Sequence, residues 1–114
     1  MGLLLYAPAY AQAPLAPQKE KGTVDVKELA HQIAQDYGIN EKDFTAVIQC
    51  ESNWDIRADG DKHTSFGLLQ IHLPAHPEVS YIDATDPVFA LKWGAQAFKE
   101  GKQGMWSCWR IVKG

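Results

Sequence analysis

The chain of 114 residues has only two cysteines, no long hydrophobic segment and no excess of positive charge. The apolar run at residues 2–7 is far shorter than the roughly 20 residues that a helix needs to cross a bilayer, so we expect no stable membrane insertion. Acidic residues (14) outnumber Lys and Arg (11), and this balance argues against a nucleic-acid partner, which usually selects a basic surface. The length favours a single domain.

The first 22 residues differ from the rest of the chain. The short apolar run precedes Ala-Tyr-Ala and Ala-Gln-Ala at residues 9–13, both of which fit the small-x-small pattern of a secretory cleavage site. A basic start is missing, so the segment is either a truncated signal peptide with a linker or a disordered tail. We interpret residues 1–22 as the former, assign the domain to residues 23–114 and expect export to the periplasm, cell envelope or extracellular space.

The cysteines are Cys50 and Cys108. In an exported protein an even number of cysteines favours a disulfide, whereas two buried free thiols are the alternative. A disulfide here would close a long loop and stabilise the fold by about 4 kcal/mol through the entropy of the unfolded chain.

Apolar periodicity predicts a mostly α-helical protein. A first helix over residues 23–37 would be capped by Thr23, a second would start at Asn40, and a third at Asp86-Pro87. No segment alternates polar and apolar residues over the length of a strand.

Several side chains are expected to anchor these elements to the core. In the loop 78–85 they are Tyr81 and Ile82. In the third helix the inner stripe is expected to contain Val88, Leu91, Ala95 and Phe98. The aromatic segment 105–109 is expected to fold back onto the core.

Glu51 is the leading candidate for chemistry. It follows Val47 and Ile48 by four and three residues, so its side chain comes off the core-facing side of the second helix. Poor solvation at such a position raises the pKa of a carboxyl, and a raised pKa suits a general acid near neutral pH.

Two patterns suggest metal binding but lack the required context. Asp59-Gly60-Asp61 lacks the remaining ligands at EF-hand spacing. His72 and His76 are four residues apart, but the intervening segment contains proline and is not helical. We therefore expect no metal site and no cofactor.

A polar loop separates the two halves of the main motif, which reads Glu51-Ser52 and then Gly67-Leu68-Leu69-Gln70-Ile71. Over about residues 24–109 the chain resembles the lytic transglycosylase (SLT) and goose-type lysozyme superfamily. The resemblance implies a lysozyme-like fold and cleavage of the bond between N-acetylmuramic acid and N-acetylglucosamine in bacterial peptidoglycan. The partner is then the peptidoglycan glycan strand, and we expect the protein to be a monomer.

The resemblance also implies roles for individual residues. Glu51 corresponds to the catalytic acid, and Ser52 to a residue that places the substrate or the glutamate. Asp61, in a Gly-Asp pair, corresponds to the goose-type aspartate that is proposed to steer water. A second goose-type aspartate is replaced by His72.

The substrate groove is less complete. A later Ala-Tyr-Asn-Ala-Gly segment of many transglycosylases is absent, and Trp106, Trp109 and Tyr81 are candidates for the missing wall. The predicted substrate-binding residues are Ser52, Gly67, Leu68, Gln70, His72, Tyr81 and Trp106.

Three classes of function remain open at this stage, and the first, glycan cleavage, has two possible outcomes. Attack by the muramic acid O6 gives a 1,6-anhydro product, whereas attack by a water guided by Asp61 gives an inverted reducing end. A non-catalytic glycan-binding module would use the same groove. A small helical interaction protein would pair Glu51 with a basic residue such as Arg57, Lys62 or Arg110.

Overall fold

The computed structural model describes residues 25–114, and the prediction of a mostly helical protein is confirmed there. The α-helices of this part of the chain are α1 (Val26–Tyr37), α2 (Glu41–Ser52), α3 (Tyr81–Ala84), α4 (Pro87–Lys99) and α5 (Ser107–Lys113). Single turns of 3₁₀ helix lie at Leu73–Ala75 and Gln103–Met105. The predicted leader at residues 1–22 lies outside the described residues.

Polar caps set the starts of the long helices. Asn40 accepts a hydrogen bond from the backbone of Asp43 at the start of α2, and Asp86 does the same for Phe89 at the start of α4, so both predicted starts are confirmed. The predicted cap of α1 is wrong: Asp25 accepts from the backbone of Glu28, and the helix begins at Val26. Thr23 lies outside the described residues.

Three strands of two residues each form a small antiparallel sheet in the order β1 (Asp59–Gly60), β2 (Ser65–Phe66), β3 (Ile71–His72). Ser65 pairs with His72 across β2 and β3. Directly opposed residues of an antiparallel pair point to the same face of the sheet, so these two side chains lie side by side. Strands this short carry no visible alternation, which is why the sequence did not predict them.

The core lies between α1, α2 and α4. Phe44 of α2 packs edge-on against Phe98 of α4, with 5.2 Å between the ring centroids. Leu68 and Leu69, between β2 and β3, are completely buried in the same cluster. The hydrophobic segment after the polar loop therefore anchors the small sheet to the helices.

Three predicted anchors are wrong. Val88 is 42% exposed, and Tyr81 and Ile82 are 49% and 76% exposed. The short helix α3 turns its Ala84 inward instead, and α4 buries Ala90 one third of a turn away from the predicted stripe.

The predicted disulfide is present. Cys50 and Cys108 are joined, with 6.0 Å between their Cα atoms. The C-terminal segment after the 3₁₀ turn forms α5, which the sequence did not predict, and α5 packs against α2. The bond therefore fixes the start of α5 beside the last turn of α2.

Candidate active site

A cleft of about 550 Å³ opens between the last turn of α2, the small sheet and the segment that leads into α5. Five of the predicted site residues line it: Glu51, Asp61, Gln70, His72 and Trp106. The sequence did not identify several other lining residues as part of a site: Ser65, Ile71, His76, Trp93, Met105 and Ser107.

Glu51 enters this cleft from the last turn of α2. Val47 and Ile48, one turn earlier, are completely buried and fix the side of the helix that faces inward. Glu51 itself is half-buried, and this burial is the largest influence that raises the pKa of its carboxyl. The nearby Asp61 carboxylate raises the pKa further by charge repulsion.

One contact opposes this shift. The backbone N–H of Cys108 donates a 3.3 Å hydrogen bond to Oε2 of Glu51 and lowers the pKa of the carboxyl. Cys108 is also the disulfide partner of Cys50, the residue before Glu51. The disulfide thus holds both the carboxyl and its hydrogen-bond donor at one edge of the cleft. None of the ion pairs within residues 25–114 involves Glu51.

Asp61 reaches the cleft from the turn between β1 and β2. Asp61, Lys62 and His63 all have left-handed backbone conformations, with φ of 52°, 56° and 70°. Such conformations are uncommon outside glycine and persist where surrounding contacts impose them. Here the hydroxyl of Ser65 donates to Oδ2 of Asp61, and the hydroxyl of Thr64 donates 2.7 Å to its backbone carbonyl.

Gln70 holds the other side of the same turn. Its Nε2 donates to the carbonyl oxygens of Ala58 and Gly67, at 3.2 Å each. Its Oε1 lies so close to Gly60 that any Cβ at that position would overlap it. Gln70 therefore clamps the loop that carries Asp61 while also lining the cleft.

Two predicted binding residues have structural contacts instead. The Ser52 hydroxyl donates to the carbonyl of Ile48 at 3.1 Å and accepts from the backbone N–H of Trp54, and it does not line the cleft. Leu68 is completely buried in the core and does not line the cleft.

Gly67 and Tyr81 also lie outside the cleft. Gly67 has a φ of +82°, and a Cβ there would overlap the carbonyl oxygen of Ala84. The close approach that a glycine permits is therefore to α3. Tyr81 packs edge-on against Phe66 and lines a different cavity, beside Arg57.

Aromatic residues form the wall opposite the sheet. Trp106 is 5% exposed, and its Nε1 donates a 2.7 Å hydrogen bond to the carbonyl of the buried Leu69. Trp93 of α4 is more accessible and packs edge-on against both Trp106 and His76. The wall therefore comes from Trp93, Trp106 and Met105; Tyr81 and Trp109 are not among the lining residues.

His72 and His76 both line the cleft but belong to different elements, β3 and the end of the following 3₁₀ turn. Residues 25–114 hold no cluster of three or more side chains suited to bind a metal ion.

A family model described as the transglycosylase SLT domain matches residues 28–113. The chain belongs to this family. Curated proteins and solved structures gave no significant match. The match runs from within α1 to the end of α5 and includes every residue that lines the cleft.

Because the chain belongs to the SLT family, its helical fold is of the lysozyme-like class. The family also indicates an activity that cleaves peptidoglycan glycan. Peptidoglycan lies outside the cytoplasm, and the protein has a disulfide, so both features indicate export. From residue 25 onward, no helix is long and apolar enough to span a bilayer.

Proposed function

We propose that this SLT domain cleaves the bond between N-acetylmuramic acid and N-acetylglucosamine without consuming water, forming 1,6-anhydromuramic acid ends. The observation that carries the proposal is Glu51, a half-buried carboxyl with a raised pKa in the last turn of a core helix, facing a cleft of about 550 Å³. A raised pKa lets a carboxyl keep its proton to higher pH, which suits a general acid.

In the proposed reaction Glu51 gives its proton to the bridging oxygen as the bond from C1 breaks and the muramic acid becomes oxocarbenium-like. The O6 hydroxyl of the same sugar then attacks C1, and its proton passes to the Glu51 carboxylate. The glutamate ends protonated as it began. General acid catalysis of this kind contributes roughly 10²–10⁴-fold to the rate.

The position of Asp61 favours one second candidate, inverting hydrolysis. Asp61 lines the same cleft as Glu51, and its carboxylate is oriented by Ser65. In this reaction a water molecule attacks C1 while Asp61 takes its proton, and the product is a reducing end. Inverting glycosidases use two carboxyls in these roles.

Product analysis separates the two reactions. The full chain is incubated with purified peptidoglycan, and the soluble fragments are measured by mass spectrometry before and after borohydride treatment. Anhydro ends are lighter by one water and resist borohydride, whereas reducing ends are converted to alditols. We expect anhydro ends from the unaltered chain and also from Asp61→Asn. Reducing ends that disappear in Asp61→Asn would establish hydrolysis.

The absence of any soluble fragment, together with sedimentation of the protein on intact peptidoglycan, would contradict both reactions. That result would support a non-catalytic glycan-binding module. Since Glu51 has no ion pair within residues 25–114, the alternative of an internally paired glutamate lacks the basic partner that it requires.

We further propose that the catalytic domain comprises residues 23–114, that residues 1–22 contain an export leader and a linker, and that the protein works as an exported monomer in the periplasm, cell envelope or extracellular space. The disulfide supports the compartment. Secretion of a fusion of residues 1–22 to a reporter tests the leader.

A further inference from the structure

A chain of hydrogen bonds crosses the sheet side of the cleft from Asp61 to His72. The Ser65 hydroxyl lies 2.5 Å from Oδ2 of Asp61 and 3.1 Å from Nδ1 of His72. Ser65 is completely buried, and it is placed beside His72 by the pairing of β2 with β3. All three side chains line the cleft that contains Glu51.

The donor of each of these hydrogen bonds can be assigned by counting the available protons. A carboxylate only accepts, so the single hydroxyl proton of Ser65 is used on Asp61, and the Ser65 oxygen is left as an acceptor towards His72. Thr64 uses its hydroxyl proton on the Asp61 carbonyl, and its oxygen lies 3.3 Å from the same Nδ1. Both neighbours of Nδ1 therefore accept, and the proton of a neutral His72 must reside on Nδ1.

The other ring nitrogen has a defined state as a consequence. A neutral imidazole with its proton on Nδ1 has a lone pair on Nε2. Nδ1 faces Thr64 and Ser65, so Nε2 lies at the opposite side of an exposed ring that lines the cleft. The Asp61 turn contains three residues with left-handed backbone and is held by Gln70. These contacts fix the position of Asp61 in the series of hydrogen bonds.

We propose that His72 is a substrate-contacting residue whose Nε2 accepts a hydrogen bond from a hydroxyl or amide N–H of the bound glycan, with Asp61 and Ser65 as positioning residues that select this tautomer. The proposal rests on the proposed function only in taking peptidoglycan glycan as the ligand.

The tautomer is tested first, without substrate. The full chain is labelled with ¹⁵N-histidine, and long-range nitrogen–proton correlation spectra are recorded at about pH 8, above the usual pKa of an imidazole. We expect His72 to show a protonated Nδ1 and an unprotonated Nε2. In Ser65→Ala, where only the more distant Thr64 oxygen still accepts from Nδ1, we expect part of His72 to shift to the tautomer protonated on Nε2. A protonated Nε2 in the unaltered chain would overturn the proposal.

Binding is tested with variants that do not cleave. In a Glu51→Gln background, sedimentation on intact peptidoglycan is compared for the parent, His72→Asn and His72→Gln. Asparagine keeps a donor near the Nδ1 position and loses the acceptor at Nε2, whereas glutamine can place its amide oxygen near Nε2. Loss of one hydrogen bond weakens binding about three- to tenfold, so we expect that loss for His72→Asn and less than about twofold for His72→Gln.

A purely structural role for His72 predicts the reverse order, with asparagine tolerated and glutamine not. His31→Asn serves as a control, because His31 pairs with Glu41 and lies outside the cleft. Equal binding of parent and His72→Asn, or no binding by the parent, would contradict the proposal. These binding measurements do not depend on cleavage by the unaltered protein. The cleavage assay tests the proposed function separately.

Discussion

Glu51 and Asp61 line the same cleft, but the regions that hold them differ in kind. Glu51 stands on a helix whose inner face, Val47 and Ile48, is completely buried, and a disulfide fixes the element opposite. Asp61 stands on an exposed turn of left-handed residues that is held by polar side chains from Ser65 and Gln70.

This difference has an energetic consequence. Apolar burial and a covalent bond stabilise the whole fold. Removing the disulfide or the buried side chains that support Glu51 should therefore lower the free energy of unfolding of the protein. Exposed or partly exposed hydrogen bonds each contribute only about 0.5–1.5 kcal/mol, so changes around Asp61 should alter the cleft more than the fold. The following predictions test this division, from the largest expected effect to the smallest.

Removing the disulfide should have the largest effect on stability. The bond joins residues that are 58 positions apart, and its replacement in the double variant Cys50→Ser/Cys108→Ser should lower the free energy of unfolding by about 4 kcal/mol in urea titrations. The matched comparison is Asp61→Asn, for which we expect a loss of about 1 kcal/mol or less. Equal losses in the two proteins would break the division between the regions.

Gly67→Ala should have an intermediate effect, because it tests the contact that joins the sheet to α3. The backbone is left-handed there, and the new methyl group would overlap the carbonyl of Ala84, so we expect a loss of about 1–3 kcal/mol. Gly104→Ala is the control: nothing lies within 4 Å of a Cβ there, and we expect a change within about 0.5 kcal/mol. Similar melting temperatures for the two variants would show that the sheet tolerates displacement from α3.

The smallest expected effect is the contribution of the Glu51 carboxyl to the pH dependence of stability. Burial raises the pKa of this carboxyl in the folded protein, so folding favours its protonated form. Its contribution to stability is therefore full below the unfolded pKa and is lost as the pH rises through the folded pKa. Glutamine stays neutral, so the melting temperature of Glu51→Gln relative to the unaltered protein should increase over that range. A relative melting temperature that decreases with pH would indicate a lowered pKa instead.

The same shift predicts the pH dependence of cleavage. A general acid must be protonated, so the rate of release of soluble fragments should fall as the pH rises through the raised pKa of Glu51. A rate that rises over this range would contradict the role of Glu51 as the acid.

The two regions also differ in how far the sequence predicts them. The position of Glu51 follows from the periodicity of Val47 and Ile48 and from the Asn40 cap, because a helix of fixed pitch carries that pattern to its last turn. The pairing of Cys50 with Cys108 is an expectation from the even cysteine count together with the expected export.

The geometry of the Asp61 region depends on long-range contacts, and such contacts leave no local pattern in the sequence. Ser65 meets His72 only through the register of two-residue strands, and Gly67 lies against Ala84 of α3. Tyr81 was predicted as part of the groove from its aromatic character, which is shared by core, surface and binding residues alike.

The central claim, that Glu51 is the acid of a peptidoglycan-cleaving SLT domain, is tested most directly by Glu51→Gln. Glutamine has nearly the same shape and can still accept the hydrogen bond from Cys108, so the fold should persist, with a melting temperature at neutral pH no lower than that of the unaltered protein. We predict that release of soluble fragments from purified peptidoglycan falls by at least about 10²-fold. Release at the unaltered rate by the folded variant would contradict the claim.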